Sequence, residues 1–293
     1  MSSDIQLNQQ MRDSINKEIA DRTKSHQSTI AGLEAAGASI GSDPLVMLAH
    51  GDSWFDYPLA GNGLPLVNTD VIAQLGSMGK PNPVILNLSH HGDATTDEMS
   101  LPKQQRMIES LQDPSNWRNN GKPDAILFSG GGNDIAGNQF CIFLDHSDTP
   151  GSTGLNDERF QKVLDAVEAS YLDLFAFRDR YASGVPIYCH CYDFPIPDGT
   201  APDCAGPWLK PSLDFNGWKL WQGEDILKEA LAEFKKLLVK LASVSANNLI
   251  LIDTQGVLQA TDWANELHPY PGGFKRIAEK FVDALMHDFP GRI

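Results

Sequence analysis

Residues 45–53 read LVMLAHGDS, a short and almost continuous apolar run that ends in Gly51, Asp52 and Ser53. Runs of this length and composition are typical of strands that are buried on both faces, as in a parallel sheet covered by helices. The stretch therefore predicts a buried parallel strand with a polar turn at its carboxyl end.

Four more runs of the same kind follow along the chain: PVILNL (83–88), DAILFS (124–129), VPIYCHCY (185–192) and NLILID (248–253). Apolar residues recur at the three- and four-residue spacing of amphipathic helices over residues 157–181, 224–243 and 272–287. Five strands that alternate with helices predict an α/β fold, a three-layer α/β/α sandwich around a five-stranded parallel sheet.

The chain is expected to divide into an N-terminal helical extension, residues 1–44, and a main domain, residues 45–293. Within the extension, apolar residues are sparse on a polar background, so we expect its helix to pack on the outside of the core. Two long connections rich in Gly, Pro and Asp predict loop insertions at about 138–156 and 197–222.

The second insertion is aromatic, and it holds Trp208, Phe215, Trp218 and Trp221. Long aromatic loops in α/β folds tend to shape ligand pockets. The same side chains could instead form a small hydrophobic cluster that holds the loop down, and both interpretations stay open. A third loop, GNGLPLVN (61–68), follows the first polar turn and could form a wall of the same pocket.

Net charge and terminal sequence limit the partners of this protein. The chain has 293 residues and a net charge of -15, which argues against nucleic acid as a partner because phosphate binding needs a basic face. No apolar run reaches the length that spans a membrane. The polar N-terminus lacks the pattern of a secretory signal, so we expect a cytoplasmic protein.

Four cysteines, Cys141, Cys189, Cys191 and Cys204, are too few for a disulfide scaffold. Cys189 and Cys191 flank His190, but zinc sites use four converging ligands and usually a wider cysteine spacing. The run also lies in a predicted strand, where cysteine is a common core residue. We therefore expect no metal site here.

Residues with useful chemistry follow four of the five predicted strands: Ser53, Gly92, Asn133 and His268. In an open α/β sheet, ligands bind outside the carboxyl ends of the strands. Each residue alone also has a plain structural interpretation, such as a helix-capping serine or a turn glycine. The glycine run before Asn133 lacks the spacing of a phosphate-binding loop.

These residues stand in four blocks in chain order: Gly51-Asp52-Ser53, Gly92 within 87–96, Gly131-Gly132-Asn133-Asp134, and His268-Pro269. The combination resembles the SGNH/GDSL hydrolase family, which is named for Ser, Gly, Asn and His in such blocks. The resemblance extends from about Leu45 to Phe289, and the N-terminal helix lies outside it. It implies a flavodoxin-like sheet and a serine hydrolase that cleaves esters.

The resemblance also implies a mechanism. Ser53 would attack the ester carbonyl, and His268 would take the serine proton and pass it to the leaving alcohol. The oxyanion would be held by the Ser53 N–H, the Gly92 N–H and the Asn133 side chain. The expected partner is a small-molecule ester, and no metal or organic cofactor is required.

One position departs from the family pattern, which usually has an aspartate three residues before the histidine. This sequence has Asn265 there. An asparagine can orient an imidazole but cannot neutralise an imidazolium, and replacing the acid of a serine triad costs roughly 10⁴-fold in rate. We expect Asn265 to complete the catalytic set of Ser53 and His268. Asp262, Glu266 or a backbone carbonyl are the alternatives that stay open.

The function expected from the sequence is hydrolysis of a small acyl ester through an acyl-serine intermediate. Two alternatives remain. One is a non-catalytic ligand-binding protein on the same fold, with the triad degraded at Asn265. The other is an acyltransferase that passes the acyl group from the same serine to an acceptor alcohol.

Overall fold

The structure, a computed structural model, describes residues 2–37, 43–58, 69–118, 120–201 and 206–293. Its five strands are β1 (Val46–Gly51), β2 (Val84–Asn87), β3 (Ala125–Ser129), β4 (Ile187–His190) and β5 (Leu249–Ile252). They form one parallel sheet in the order β2-β1-β3-β4-β5. The five predicted runs each contain one of these strands, so the prediction of a parallel sheet is confirmed.

Helices cover both faces of the sheet and complete the three layers. They are α1 (Ser2–Ala35), α2 (Val71–Leu75), α3 (Thr95–Glu98), α4 (Leu101–Gln112), α5 (Gly132–Ile135), α6 (Asp157–Tyr181), α7 (Lys210–Phe215), α8 (Leu220–Ala242) and α9 (Pro271–Asp288). Helix α2 packs on α9, and α6 contacts α3, α4 and α8. None of the helices in the described ranges combines the length and apolar character needed to cross a membrane.

Burial along the strands explains why their sequences are apolar runs rather than alternating patterns. Every residue of β1, β3 and β4 is buried, whereas β2 and β5, at the edges, are partly exposed. His50, Ser129 and His190 are buried polar residues of these strands, and all three make hydrogen bonds. His50 Nε2 lies 2.8 Å from the carbonyl oxygen of Glu98, which satisfies one ring nitrogen inside the protein.

Helix α1 packs along β2 and the segment 114–116. From residue 9 onward, the buried apolar residues of this helix are Ile19 and Ile30. Polar contacts supplement them, since Arg22 pairs with Asp56 and donates to the carbonyl of Ser89 at 3.2 Å. The sparse apolar pattern of this helix therefore corresponds to an outer position. The division into an extension and a main domain stays a prediction.

The two insertions contact each other. Trp218 is buried and its indole N–H donates to the carbonyl of Asp145 at 2.7 Å, so this part of the aromatic loop serves as a packing cluster. Phe215 and Trp221 point outward and are 79% and 62% exposed. The predicted wall at 61–68 and Cys204 lie outside the described residues.

Candidate active site

The serine of the first block and the histidine of the last lie side by side at the carboxyl edge of the sheet. Ser53 Oγ is 2.7 Å from His268 Nε2, although 215 positions separate them in sequence. Both residues are almost fully buried. The distance is within the reach required for proton transfer from a hydroxyl to a general base.

Ser53 lies in a tight turn that begins at Gly51, a position that only glycine can occupy. A Cβ added to Gly51 would lie 2.4 Å from the Ser129 carbonyl oxygen on the neighbouring strand. Because β1 and β3 approach so closely, residue 51 must lack a side chain. The chain then leaves the sheet directly at Ser53.

Asp52 closes this turn. Its carboxylate accepts the Trp54 N–H at 3.0 Å, and its carbonyl accepts the N–H groups of Phe55 and Asp56 at 3.1 and 3.0 Å. The N–H of Ser53 has no acceptor in the described part of the chain. It is therefore free to donate to a ligand, as the first N–H groups of a helical turn generally are.

Asn265 holds the far side of the imidazole. Its Oδ1 lies 3.1 Å from His268 Nδ1 and also accepts the N–H groups of Leu267 and His268 at 3.0 and 2.9 Å. Its Nδ2 donates to the hydroxyl of Tyr57 at 3.1 Å. These contacts fix the amide orientation, so the proton sits on Nδ1 and the Nε2 lone pair faces Ser53.

The two carboxylates considered as alternatives to Asn265 have other partners. Glu266 is fully buried and accepts backbone N–H groups from across the aromatic loop, at Gly199, Trp208, Leu209 and Lys210. Asp262 accepts the Gln259 N–H at 2.8 Å and lies 3.7 Å from Arg276. Only Asn265, of the three, contacts the His268 ring.

Burial controls the protonation of His268. It lowers the pKa of the imidazole to about 3, with a further lowering from nearby His91. The ring packs against Tyr57, with centroids 4.7 Å apart, and against Trp208 at 5.6 Å. The aromatic loop therefore contributes Trp208 to the site, and His268 is neutral at neutral pH.

Asn133 and Gly92 lie on adjacent turns. Asn133 Nδ2 donates one hydrogen bond to the Asp93 carbonyl at 2.8 Å, which leaves its second amide hydrogen for a ligand. Asp134 ties the same turns together, since its carboxylate accepts the N–H and hydroxyl of Thr95, each at 2.8 Å.

A cavity of about 50 Å³ opens beside Ser53 and His268. Asn133 lines it, whereas Gly92 is outside its lining. Gly92 is exposed, and its N–H has no acceptor within the described ranges. The structure thus brings Ser53, Asn133, Asn265 and His268 together. Gly92 lies outside this group, next to Asp93, whose carbonyl accepts the Asn133 amide.

The walls of this cavity are largely apolar and include residues that the sequence analysis did not select. Helix α8 supplies Leu227, Ala230 and Leu231, and Tyr192 comes from the segment after β4. Tyr192 follows the one strand to which no site residue was assigned. The rule that ligands bind at the carboxyl ends of strands would have pointed to it.

His190, considered with Cys189 and Cys191 as a weak zinc candidate, has both ring nitrogens in hydrogen-bonding contacts. Nε2 lies 2.8 Å from Ser129 Oγ, and Nδ1 accepts the Tyr192 N–H at 3.2 Å. Cys189 and Cys191 are buried free thiols. In the ranges that the structure describes, no group of three or more His, Cys, Asp or Glu residues could hold a metal ion.

Comparison with known proteins finds similarity in structure only. No protein-family model matches the sequence, and no curated protein is significantly similar to it. The chain is similar to the lipase Lip_vut3 from a goat rumen metagenome, with 15% identity, a TM-score of 0.54 and coverage of 82% of this chain and 97% of that one.

Two further solved structures are similar at lower scores. An extracellular lipase from Streptomyces rimosus has 15% identity and a TM-score of 0.48, over 81% of this chain and 98% of that one. A carbohydrate esterase family 3 protein from Talaromyces cellulolyticus has 13% identity and a TM-score of 0.45, over 84% and 98%. At such identities the likeness to Lip_vut3 concerns the fold, and the chain shares the three-layer α/β/α fold of that structure.

Proposed function

We propose that this protein is a serine esterase of the SGNH/GDSL type. The observation that carries the proposal is the 2.7 Å contact between Ser53 Oγ and His268 Nε2, with the tautomer of His268 set by Asn265. A hydroxyl, a neutral base and an orienting group in this order form the arrangement that serine hydrolases use.

In the proposed mechanism, Ser53 Oγ attacks the ester carbonyl carbon while its proton moves to His268 Nε2. The tetrahedral oxyanion accepts hydrogen bonds from the Ser53 N–H and from the spare amide hydrogen of Asn133. The Gly92 N–H, predicted as a third donor, lies outside the cavity lining. His268 then protonates the leaving alcohol, and an acyl-serine remains. Water, deprotonated by the same imidazole, attacks the acyl carbonyl carbon. The bond from that carbon to Ser53 Oγ then breaks, His268 returns the proton to Oγ, and the acid leaves.

The cavity supports a short acyl group. A water-sized group needs about 10–15 Å³ of such a cavity, so its volume of about 50 Å³ admits roughly four of them. Its apolar walls favour a hydrocarbon over a charged group. An acyl chain of about two to four carbons fits this room. The similar Lip_vut3 is itself a lipase, in agreement with ester chemistry.

Replacing Ala230 by leucine tests this assignment of the cavity. Ala230 is buried and lines the cavity, so a larger side chain would fill the space for the end of the acyl chain. We expect kcat/KM for p-nitrophenyl butyrate to fall about ten-fold or more relative to p-nitrophenyl acetate.

Ala232→Leu is the matched control, because Ala232 lies on the same helix outside the cavity lining. It should leave the butyrate-to-acetate ratio unchanged. If Ala230→Leu also left the ratio unchanged, the acyl chain would not occupy this cavity.

Replacing Asn265 by aspartate tests the departure from the family pattern. A carboxylate beside Nδ1 would stabilise the imidazolium that forms when Ser53 attacks, which the amide cannot do. We expect Asn265→Asp to raise kcat about ten-fold or more, a part of the roughly 10⁴-fold that such an acid supplies in serine triads. Steady-state kinetics on p-nitrophenyl acetate measure the gain.

An NMR titration of the imidazole provides the independent readout. The pKa of His268, lowered to about 3 in the native protein, should rise in Asn265→Asp because a neighbouring negative charge favours the protonated ring. If the pKa of His268 rose without any gain in kcat, stabilisation of the imidazolium would not limit the rate, and orientation of the ring by Asn265 would be sufficient.

A further inference from the structure

Tyr192 adopts a backbone conformation that bulky residues rarely take. Its φ is 57°, in the left-handed region that disfavours aromatic side chains. Two contacts hold it there, since its N–H donates to His190 Nδ1 at 3.2 Å and its carbonyl accepts the hydroxyl of Thr254 at 2.8 Å. Residues kept in such conformations cluster at functional sites.

The hydroxyl of Tyr192 reaches the residue before the nucleophile. It donates to Asp52 Oδ2 at 2.5 Å, and Ser129 Oγ donates to Asp52 Oδ1 at 2.7 Å. His190 accepts at Nδ1, so its Nε2 carries the proton and donates to Ser129 Oγ. Asp52 is 1% exposed, and Tyr192, Ser129 and the Trp54 N–H all donate to its carboxylate.

The ring of Tyr192 reaches a second turn, which carries the proposed oxyanion donor Asn133 and is called the oxyanion turn below. A Cβ added to Gly132 would lie 2.7 Å from the ring, so the backbone beside Asn133 rests directly on it. The ring also meets Trp54 edge-on, with centroids 5.3 Å apart. One side chain therefore contacts the turn that carries Ser53 and the turn that carries Asn133.

We propose that Tyr192 is a positioning residue of the esterase, which fixes the nucleophile turn and the oxyanion turn relative to each other. It acts through its hydroxyl on Asp52 and its ring beneath Gly132. The inference rests on the proposed esterase function. Because an oxyanion donor is effective only when it is preorganised, Tyr192 contributes to the rate of the chemical step more than to substrate affinity.

The hydrogen bonds from Tyr192 and Ser129 to Asp52 form a network whose effect can be measured through the pKa of Asp52. Burial raises the pKa of Asp52 to about 6, although the hydrogen bonds from Tyr192, Ser129 and the Trp54 N–H oppose the rise. Its other neighbours are acidic or neutral: Asp134 of α5, Glu98 of α3 and, through Ser129, His190 of β4. Burial keeps His190 neutral and raises the pKa of Glu98 well above its usual range.

Tyr192→Phe is the decisive variant, because it removes the hydroxyl and keeps the ring. We expect kcat on p-nitrophenyl acetate to fall about ten- to a hundred-fold, the range for a hydrogen bond to a buried charge, with KM nearly unchanged. The acid limb of the pH–rate profile should move to higher pH, since Asp52 loses a donor that favours its ionised form.

Tyr188→Phe is a matched control on β4, the strand that precedes Tyr192. The hydroxyl of Tyr188 also donates to an aspartate, Asp288, at 2.6 Å, but this pair lies away from the site. It should leave kcat and the acid limb unchanged. If Tyr192→Phe and Tyr188→Phe had the same kcat and the same acid limb, the positioning role would be overturned. Activity of the wild-type protein in that experiment would still support the esterase proposal.

The pH dependence of the native protein supplies a second test, which does not depend on whether a variant folds. If the ionised Asp52 network is required, the wild-type rate should fall as the pH drops through about 6, while thermal unfolding shows a folded chain. A rate that stays constant until the much lower pKa of His268 would overturn the proposal. Absence of any Ser53-dependent activity would instead reject the esterase function itself.

Discussion

We expect Ser53→Ala to lower kcat/KM for p-nitrophenyl acetate by about 10²-fold or more. Removing the nucleophile of a complete serine triad costs about 10⁶-fold, and roughly 10⁴-fold of that is already forgone where an amide replaces the acid. The variant keeps His268, Asn265 and the free N–H at position 53, but no atom is left to form the acyl-enzyme. Steady-state assays with the native protein and the variant measure the loss.

Thermal unfolding and a neutral serine variant separate this loss from damage to the fold. Ser28→Ala, at an exposed position of α1, should retain full activity. Intact-protein mass spectrometry after brief exposure to the ester should find one added acyl group on the native chain and none on Ser53→Ala. Similar rates for native and Ser53→Ala protein would leave only a binding role on this fold.

We expect Asn133→Ala to lower kcat by about 10²- to 10³-fold, the usual loss for one oxyanion donor. The spare amide hydrogen faces a charge that develops only in the transition state, so KM should change little. The hydrogen bond to the Asp93 carbonyl also disappears, which makes this variant sensitive to both donor and turn geometry. Steady-state kinetics give kcat and KM separately.

Two further variants distinguish the donor from the turn. Asn138→Ala, at an exposed asparagine in the same connection, should behave like the native protein. Asn133→Asp keeps the shape of the side chain but places acceptors where the donor was, so its rate should be at least as low as that of Asn133→Ala. A loss confined to KM in either Asn133 variant would contradict the oxyanion role.

Strand positions followed from the sequence because burial on both faces leaves a strong and local signal. The runs at 45–50 and 124–129 are apolar since β1 and β3 lie in the middle of the sheet. Once parallel strands are placed, their carboxyl ends lie along one edge of the sheet, so Ser53 and His268 are expected on the same side of it even though β3 and β4 stand between β1 and β5. This reasoning does not depend on any distance.

Other features of the site depend on side-chain directions that no pattern in one sequence specifies. Asn265, Asp262 and Glu266 lie within a few residues of each other, and only the turn geometry decides which one faces the imidazole. Asn265 does so because its Oδ1 is held by the backbone N–H groups of Leu267 and His268. The place of Tyr192 after β4 would have pointed to it, but no sequence pattern shows that its hydroxyl reaches Asp52.

The attachment of Glu266 has a consequence for how substrate enters. One buried carboxylate fastens both Gly199 and the segment 208–210 to the loop that carries the base. If the loop opened at this point, the charge-assisted hydrogen bonds to the Glu266 carboxylate would break. Because this carboxylate is buried and water would not replace them, the free-energy cost would be high. We therefore expect the loop that carries His268 to stay rigid during turnover, so that substrate does not enter by an opening of this side.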